Sequence, residues 1–283
     1  MTNHKPFLSV VTPSLNQGQF IADAIESVAR QAFHDYEHLI VDAQSTDNTL
    51  RVLRTFRHLP HLTWTSEPDT GQSNALNKGF SRARGEWVLW LNADDVLLEG
   101  ALEAFVEAIH RSPHADVFYG HQRFVDTHGR TLKTVFHLPY RHYLVRSGMY
   151  LPPSTGSLFR RSLILQQPLD EELHFVMDKE WFLRVGKDLQ AVRINRSLSA
   201  FRVTDWSKTG TSVMRGQKHP RHAKESERLA RRYGLGPNAR IARSSTRQRI
   251  RSLWYRVEYS ARKGRFAIHY ALNAMRRALA NRT

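Results

Sequence analysis

Short apolar runs recur along the first part of the chain, each closed by polar residues and followed by a stretch with helical spacing. Phe7-Leu8-Ser9-Val10-Val11 is β-branched and apolar and stops at Thr12-Pro13-Ser14, after which Phe20, Ile21, Ala24, Ile25 and Val28 recur on one helical face. Glu37-His38-Leu39-Ile40-Val41 predicts a second strand ending at Asp42, and Ser45-Thr46-Asp47 can cap a helix carrying Leu50, Leu53 and Phe56. His61–Thr65 predicts a third strand. Gly71 then opens a helix through Asn74, Ala75 and Lys78 to Arg84, ended by Gly85. Trp87-Val88-Leu89-Trp90-Leu91 is apolar throughout, as a strand covered on both faces should be. A βαβαβαβ order predicts an α/β fold whose sheet is largely parallel and flanked by helices, with ligands at the carboxyl ends of its strands.

The second half is less regular. Val117–Gly120 reads as a strand, and Asp126-Thr127-His128-Gly129 as the turn of a hairpin between 122–125 and 131–136. Pro152–Phe159 reads as a strand or loop on the far wall of a site. A helix starts near Asp178, and Ala191–Val203 is a closing strand. Trp181 and Phe182 read as core.

The polar motifs fall where that topology puts ligands: Thr12–Asn16 after the first strand, Asp42 after the second, Glu67–Gly71 after the third and Asn92-Ala93-Asp94-Asp95 after the fourth. Turns explain any one of them, since Pro, Asp and Gly make turns; four on one edge suggest a binding site. Two carboxylates at the mouth of a buried strand are costly unless a cation binds there, and hard oxygens suit Mg²⁺ or Mn²⁺ on a diphosphate. Asp94 or Asp95 could equally cap the helix that follows.

Composition narrows the picture little. A chain of 283 residues has length for a real core, and 41% hydrophobic with 24% charged residues is ordinary for a globule. The absence of Cys excludes disulfides, thiolate metal sites and a Cys nucleophile. The N-terminus lacks the apolar region of a signal peptide, and no run approaches the ~18 apolar residues that span a bilayer, so the chain reads as cytoplasmic. His58/His61 and His219/His222 have i, i+3 spacing without a completing carboxylate and read as solvated surface.

Taken in order, the blocks V-V-T-P-S-L-N-Q, V-D-A-Q-S-T-D-N-T, E-P-D-T-G-Q-S-N-A-L-N-K-G, G-E-W-V-L-W-L-N-A-D-D, M-D-K-E-W-F-L-R and F-R-V-T-D-W-S-K-T resemble the family 2 glycosyltransferases, over about Phe7 to Thr209. The resemblance implies a GT-A fold, a nucleotide-sugar donor and inversion at the anomeric carbon. It implies that Thr12, Pro13, Ser14 and Asn16 rim the base and ribose pocket. Asp42 would accept from the imide N–H of uracil or thymine. Asp69, Gly71, Gln72, Asn74 and Lys78 would line the nucleotide, with Lys78 the cation nearest the phosphates. Asn92, Ala93 and Asp94 occupy the family's D-x-D pattern: Asn92 would bond a ribose hydroxyl, and Asp94, helped by Asp95, would ligate the metal. Asp178 would be the base, with Glu180 the runner-up. Arg202, Ser207 and Lys208 would belong to a loop over the diphosphate. Thr204 stands where many relatives carry His. The acceptor would be a saccharide or lipid-linked saccharide.

Domain boundaries follow from charge. A transferase domain over 1–210 is followed by a basic extension, 211–283. From Arg240 onward 12 Lys and Arg against Glu258 carry +11 of the formal +16. Ile250, Leu253, Trp254, Val257 and Ala261 keep helical spacing there. These amphipathic helices could cap the body, lie on an anionic membrane at the inner face, or bind nucleic acid, the last least favoured. A sugar nucleotidyltransferase would want cations in the first loop, and Thr12–Gly18 has none. A non-catalytic lipid-surface or nucleic-acid binder on a degenerate transferase domain is the alternative, motivated by Asn92 and Thr204.

Overall fold

A computed structural model describes residues 5–148, 150–204 and 219–235. In chain order the elements are β1 (Leu8–Ser14), α1 (Ile21–Ala29), β2 (Tyr36–Asp42), α2 (Thr49–Thr55), β3 (Leu62–Ser66), α3 (Gln72–Arg82), β4 (Trp87–Trp90), β5 (Val96–Leu97), α4 (Ala101–Arg111), β6 (Val117–Val125), β7 (Thr131–Val135), α5 (His142–Arg146), β8 (Ser157–Arg160), α6 (Arg161–Gln166), α7 (Met177–Val185), β9 (Ala191–Arg202) and α8 (Pro220–Tyr233). The strands form one sheet in the order β3-β2-β1-β4-β8-β6-β9-β5, with β7 hydrogen-bonded to β6. The β3-β2-β1-β4 half is parallel throughout; β8 joins β4 antiparallel, and β6 and β9 run parallel to each other.

Burial on both faces explains the continuous apolar strands. In β4, Val88 and Trp90 face a core shared with α3, α6 and α7, while Trp87 and Leu89 face the core under α4. β1 runs three residues further than its apolar run, through Thr12-Pro13-Ser14, still paired with β2. Its pairing with β4 ends at Val11, so Pro13, which lacks an N–H, costs no ladder bond on that side. Asp94 and Asp95 are not helix caps: α4 begins at Ala101 after Gly100. α8 comes from the stretch read as an extension, yet Leu229 is buried in the same core as α3 and α7, so the packed body continues past residue 210. Ser207, Lys208 and the tail 240–283 lie outside the described residues.

Two buried histidines give the fold an acid limit. His38 bonds Thr12 at 2.9 Å and His137 bonds Gln122 at 3.3 Å. Burial pushes both down to about 3, helped at His137 by His121. An unfolded His titrates near 6.5, so between that pH and about 3 unfolding takes up protons and stability falls with acidification. Asp95 is raised and works the other way, offsetting part of the effect. Each His contributes about 1.4 kcal/mol per pH unit in that window, and none above it. We expect the melting temperature to drop from pH 7 to pH 5, and the drop to shrink in His38→Asn/His137→Asn. A drop as large in the double variant as in the parent would rule out neutral buried rings.

Candidate active site

The sheet order reverses at β1, whose neighbours β2 and β4 carry the chain in opposite directions, and the crevice there is the expected ligand position. Register sets Ser14, Asp42 and Ser66 side by side at the carboxyl ends of β1, β2 and β3. Asp42 is wholly buried. It accepts from Ser45 N (3.0 Å), Ser45 Oγ (2.5 Å), Ser66 Oγ (2.8 Å) and Ser14 Oγ (3.4 Å). Its lone pairs are therefore filled by the chain's own serines, and a base could reach it only by turning a hydroxyl away. Thr12 does not rim a pocket: it is buried and bonded to His38 within the sheet. Pro13 is buried beside it. Asn16, at φ 53°, accepts from Thr46 N at 2.9 Å and holds the 44–47 loop.

At the third loop Asp69 accepts from Gly71 N at 2.8 Å, and Gly71 adopts φ 133°, a region open to Gly. A Cβ at Gly71 would lie 2.7 Å from the His174 ring, so that ring covers the turn. Gln72, first in α3, donates to Asn92 Oδ1 at 2.9 Å, and Trp90 Nε1 donates to the same oxygen at 2.7 Å. The Asn92 amide in turn donates to Asp95 at 3.1 Å. Asn92 thus joins α3 to the β4 loop with both ends of its amide, which an aspartate could not do. Ala93 is buried behind it.

Asp95 departs from the expected role. It is buried and accepts from the Arg202 backbone N–H (2.9 Å) and Asn92, while Thr155 hydrogen-bonds its side chain. Burial, then the neighbouring Asp94 carboxylate, raises it well above the usual range. A carboxyl so occupied is a latch between the β4 loop and β9. Arg202 is corrected too: it ends β9, is buried, and spends its guanidinium on Asp94 O (2.9 Å), Thr127 O (2.9 Å) and Asp23 (2.7 Å), over the Phe20 ring. It does not lie on a mobile diphosphate loop. Nothing in the sequence pattern signalled Asp23 as the partner of Arg202, or Thr155 as that of Asp95.

Asp178 lies in the first turn of α7, half-buried, two residues past the N-cap Val176 rather than at the cap, and accepts from Lys179 N at 2.7 Å. Glu180 points elsewhere, as two residues along a helix requires. It is fully buried, paired with Arg184 at 3.0 Å and receives the Tyr233 hydroxyl at 2.6 Å. That packing favours Asp178 over the runner-up. Asn74 donates to Glu171 at 2.7 Å, and Lys78 reaches Pro68 O at 2.6 Å and Glu67 at 3.4 Å, so both serve local contacts rather than standing bare towards a phosphate. Trp181 and Phe182 are core. His219 and His222 are not merely solvated: they pack on Phe175, with ring centroids at 4.8 and 5.9 Å.

For a metal, no group of three His, Cys, Asp or Glu is gathered among the described residues. Asp94 is the half-buried carboxylate of the β4 loop, next in the chain to a buried Asp95. This donor set suits a hard cation that takes one or two protein carboxylates and fills its shell with phosphate oxygens and water, the habit of Mg²⁺. It does not suit a cage built by the protein alone.

Fold and site together define a GT-A type transferase scaffold. The sequence profile of Glycosyl transferase family 2 matches residues 9–182, and the chain belongs to that family. Among named relatives it is similar to a teichuronic acid biosynthesis glycosyltransferase of Bacillus subtilis, 34% identical over 142 residues, 49% of this chain and 56% of the relative. A PGL/p-HBAD biosynthesis glycosyltransferase of Mycobacterium bovis is 36% identical over 118 residues, 41% of this chain and 46% of the other. The chain spans about half the length of these relatives. In three dimensions it resembles Staphylococcus aureus TarS 1–349 in complex with UDP-GlcNAc (TM-score 0.59, 18% identity, 89% of this chain, 80% of the other). It also resembles a mannosyltransferase from Pyrobaculum calidifontis in complex with GDP-Man and Mn²⁺ (TM-score 0.60, 17% identity, 98% and 81%).

Proposed function

We propose that this protein is an inverting glycosyltransferase that moves a sugar from a nucleotide-sugar to an acceptor hydroxyl, in assembly of a cell-surface polysaccharide or glycolipid. The observation that carries the reading is the joining of α3 to the β4 loop by Gln72 and Asn92 at the sheet's switch point, which presents Asp94 there. The relatives named for teichuronic acid and PGL biosynthesis support the acceptor class, a saccharide or lipid-linked saccharide.

Asp178 takes the proton of the acceptor hydroxyl as its oxygen attacks the anomeric carbon, and the bond to the diphosphate breaks on the opposite face. A divalent cation, when bound, supplies charge neutralisation on the departing diphosphate. Asp94 is the residue that would hold it, with Asn92 fixing the loop. For the base we favour uracil or thymine: the ring imide would displace the Ser14 hydroxyl, the longest of the four contacts to Asp42 at 3.4 Å. The basic tail from Arg240 is suited to anionic lipid at the membrane face where such acceptors sit.

A thermal-shift panel of UDP-, dTDP- and GDP-sugars, with and without Mn²⁺, tests the reading, because a bound donor stabilises the fold by mass action. A UDP- or dTDP-sugar should raise the melting temperature, more so with Mn²⁺, and Asp94→Ala should remove the Mn²⁺ increment. If no nucleotide-sugar shifts melting, the donor reading fails. A second reading, a non-catalytic binder on a transferase scaffold, is favoured by the thin metal set at Asn92, Asp94 and Thr204; release of sugar from any donor would exclude it.

A further inference from the structure

Residues 169–175 form a strap leading into α7, with a turn closed by Leu173 N on Asp170 O (3.2 Å), and through residue 174 their contacts alternate between two helices. The odd positions bind α3. Asn77 bonds Leu169 N (3.0 Å) and O (3.0 Å), Asn74 and Asn77 bond Glu171 (2.7 and 2.8 Å), and Ser73 donates to Leu173 O (2.9 Å). The even positions bind α8: Asp170 meets Arg232 at 3.5 Å, Glu172 meets Arg228 at 2.5 Å, and His174 N donates to Glu225 at 3.1 Å. Phe175 N donates to Glu225 as well, at 2.8 Å.

Glu225 is the centre of the α8 side. Its carboxylate is buried and takes the two backbone N–H groups of the strap besides Arg221 at 3.0 Å. Burial alone would raise it; the donors at Phe175, His174 and Arg221 outweigh that and hold it low, so it stays ionised at neutral pH. A second tie lies two residues beyond Asp178, where the Tyr233 hydroxyl donates to Glu180. Burial and that carboxylate push Tyr233 up to about 12, keeping it a donor. The strap ends three residues before Asp178, and its His174 ring rests on the Gly71 turn.

We propose that α8 is a positioning helix for the transfer reaction: through Glu225, and through Tyr233 on Glu180, it sets α7 and hence Asp178 against the donor site framed by α3. Glu225 and Tyr233 are positioning residues; neither touches the reacting atoms. The proposal rests on the reading of Asp178 as base. The strap is the physical link, because it is bonded on alternate residues to the helix that frames the donor and to the helix that follows β9.

The test uses the full chain, with turnover, donor dissociation constant and melting temperature measured together. Glu225→Ala should lower transfer about 10- to 100-fold while donor binding stays within about threefold, since α3 keeps its own side of the strap. Glu225→Gln retains one acceptor for Phe175 N and should recover part of the turnover at a donor affinity equal to the parent's. Tyr233→Phe should lower turnover with donor affinity kept and only a small drop in melting temperature. Should Glu225→Ala not fold, Arg228→Ala/Arg232→Ala decides, with turnover down and donor affinity kept. Full turnover in these variants, or a loss that tracks donor affinity or melting instead, overturns the positioning role. A parent chain with no transfer activity defeats the functional reading itself, which is a separate result.

Discussion

Asp178→Asn is expected to lower glycosyl transfer by about 10²–10⁴-fold, the usual contribution of a general base, while donor affinity and melting temperature stay near the parent's. The expectation follows from where Asp178 sits. It lies in the first turn of α7, where a carboxylate is favoured by the helix N-terminus, and is half-buried rather than sealed in the core. Asn keeps the size and can still accept from Lys179 N, so the fold should not report the change. Glu180→Gln should behave differently. Its carboxylate is enclosed by Arg184 and Tyr233, so the variant should lose stability, and turnover only to the extent that α7 shifts. Near-parental turnover in Asp178→Asn beside a dead but well-folded Glu180→Gln would reverse the assignment.

Arg202→Ala is expected to destabilise the protein by about 3 kcal/mol, towards the lower end for breaking a buried ion pair because Asp23 is half exposed. In a chain of this size that corresponds to roughly 6–12 °C in melting temperature. Removal of the guanidinium strands Asp94 O and Thr127 O and uncovers Phe20. The Asp95 latch survives, since it uses the Arg202 backbone N–H. A residue on a diphosphate loop would give the opposite pattern, weaker donor binding with melting unchanged, and that result would restore the role suggested by the family motif. Arg202→Lys should recover little, because one ammonium cannot reach three acceptors in the fan that a guanidinium spans.

The local pattern was legible wherever a single element decided it. Strands β1, β2 and β4 are buried on both faces while the edge strand β3 alternates, helices α1 to α3 carry their apolar residues at helical spacing, and the polar loops after those strands mark one edge of a parallel sheet. Asp94 stands out at the end of an apolar strand, whereas the role of Asp178 comes from the family resemblance and not from any period. The short elements β5, α5 and α6 could not, since a turn or two of helix carries no periodic signal. Nor could the partners. Whether Asp42, Asp95 and Arg202 face a ligand or face the protein depends on contacts across 24 to 179 residues of chain, and composition carries no trace of them. Burial settles it: once packed, a carboxylate or guanidinium must find its hydrogen bonds inside, and those residues found them in Ser14, Ser45 and Ser66, in Asn92 and Thr155, and in Asp23. The docking of α8 was hidden likewise, because a basic helix with one buried Leu and one buried Glu reads as a solvated face until the strap it binds is in place. Sequence by itself determined the sheet and the edge on which chemistry belongs; only the tertiary structure decided which of the charged residues on that edge were already spent holding it together.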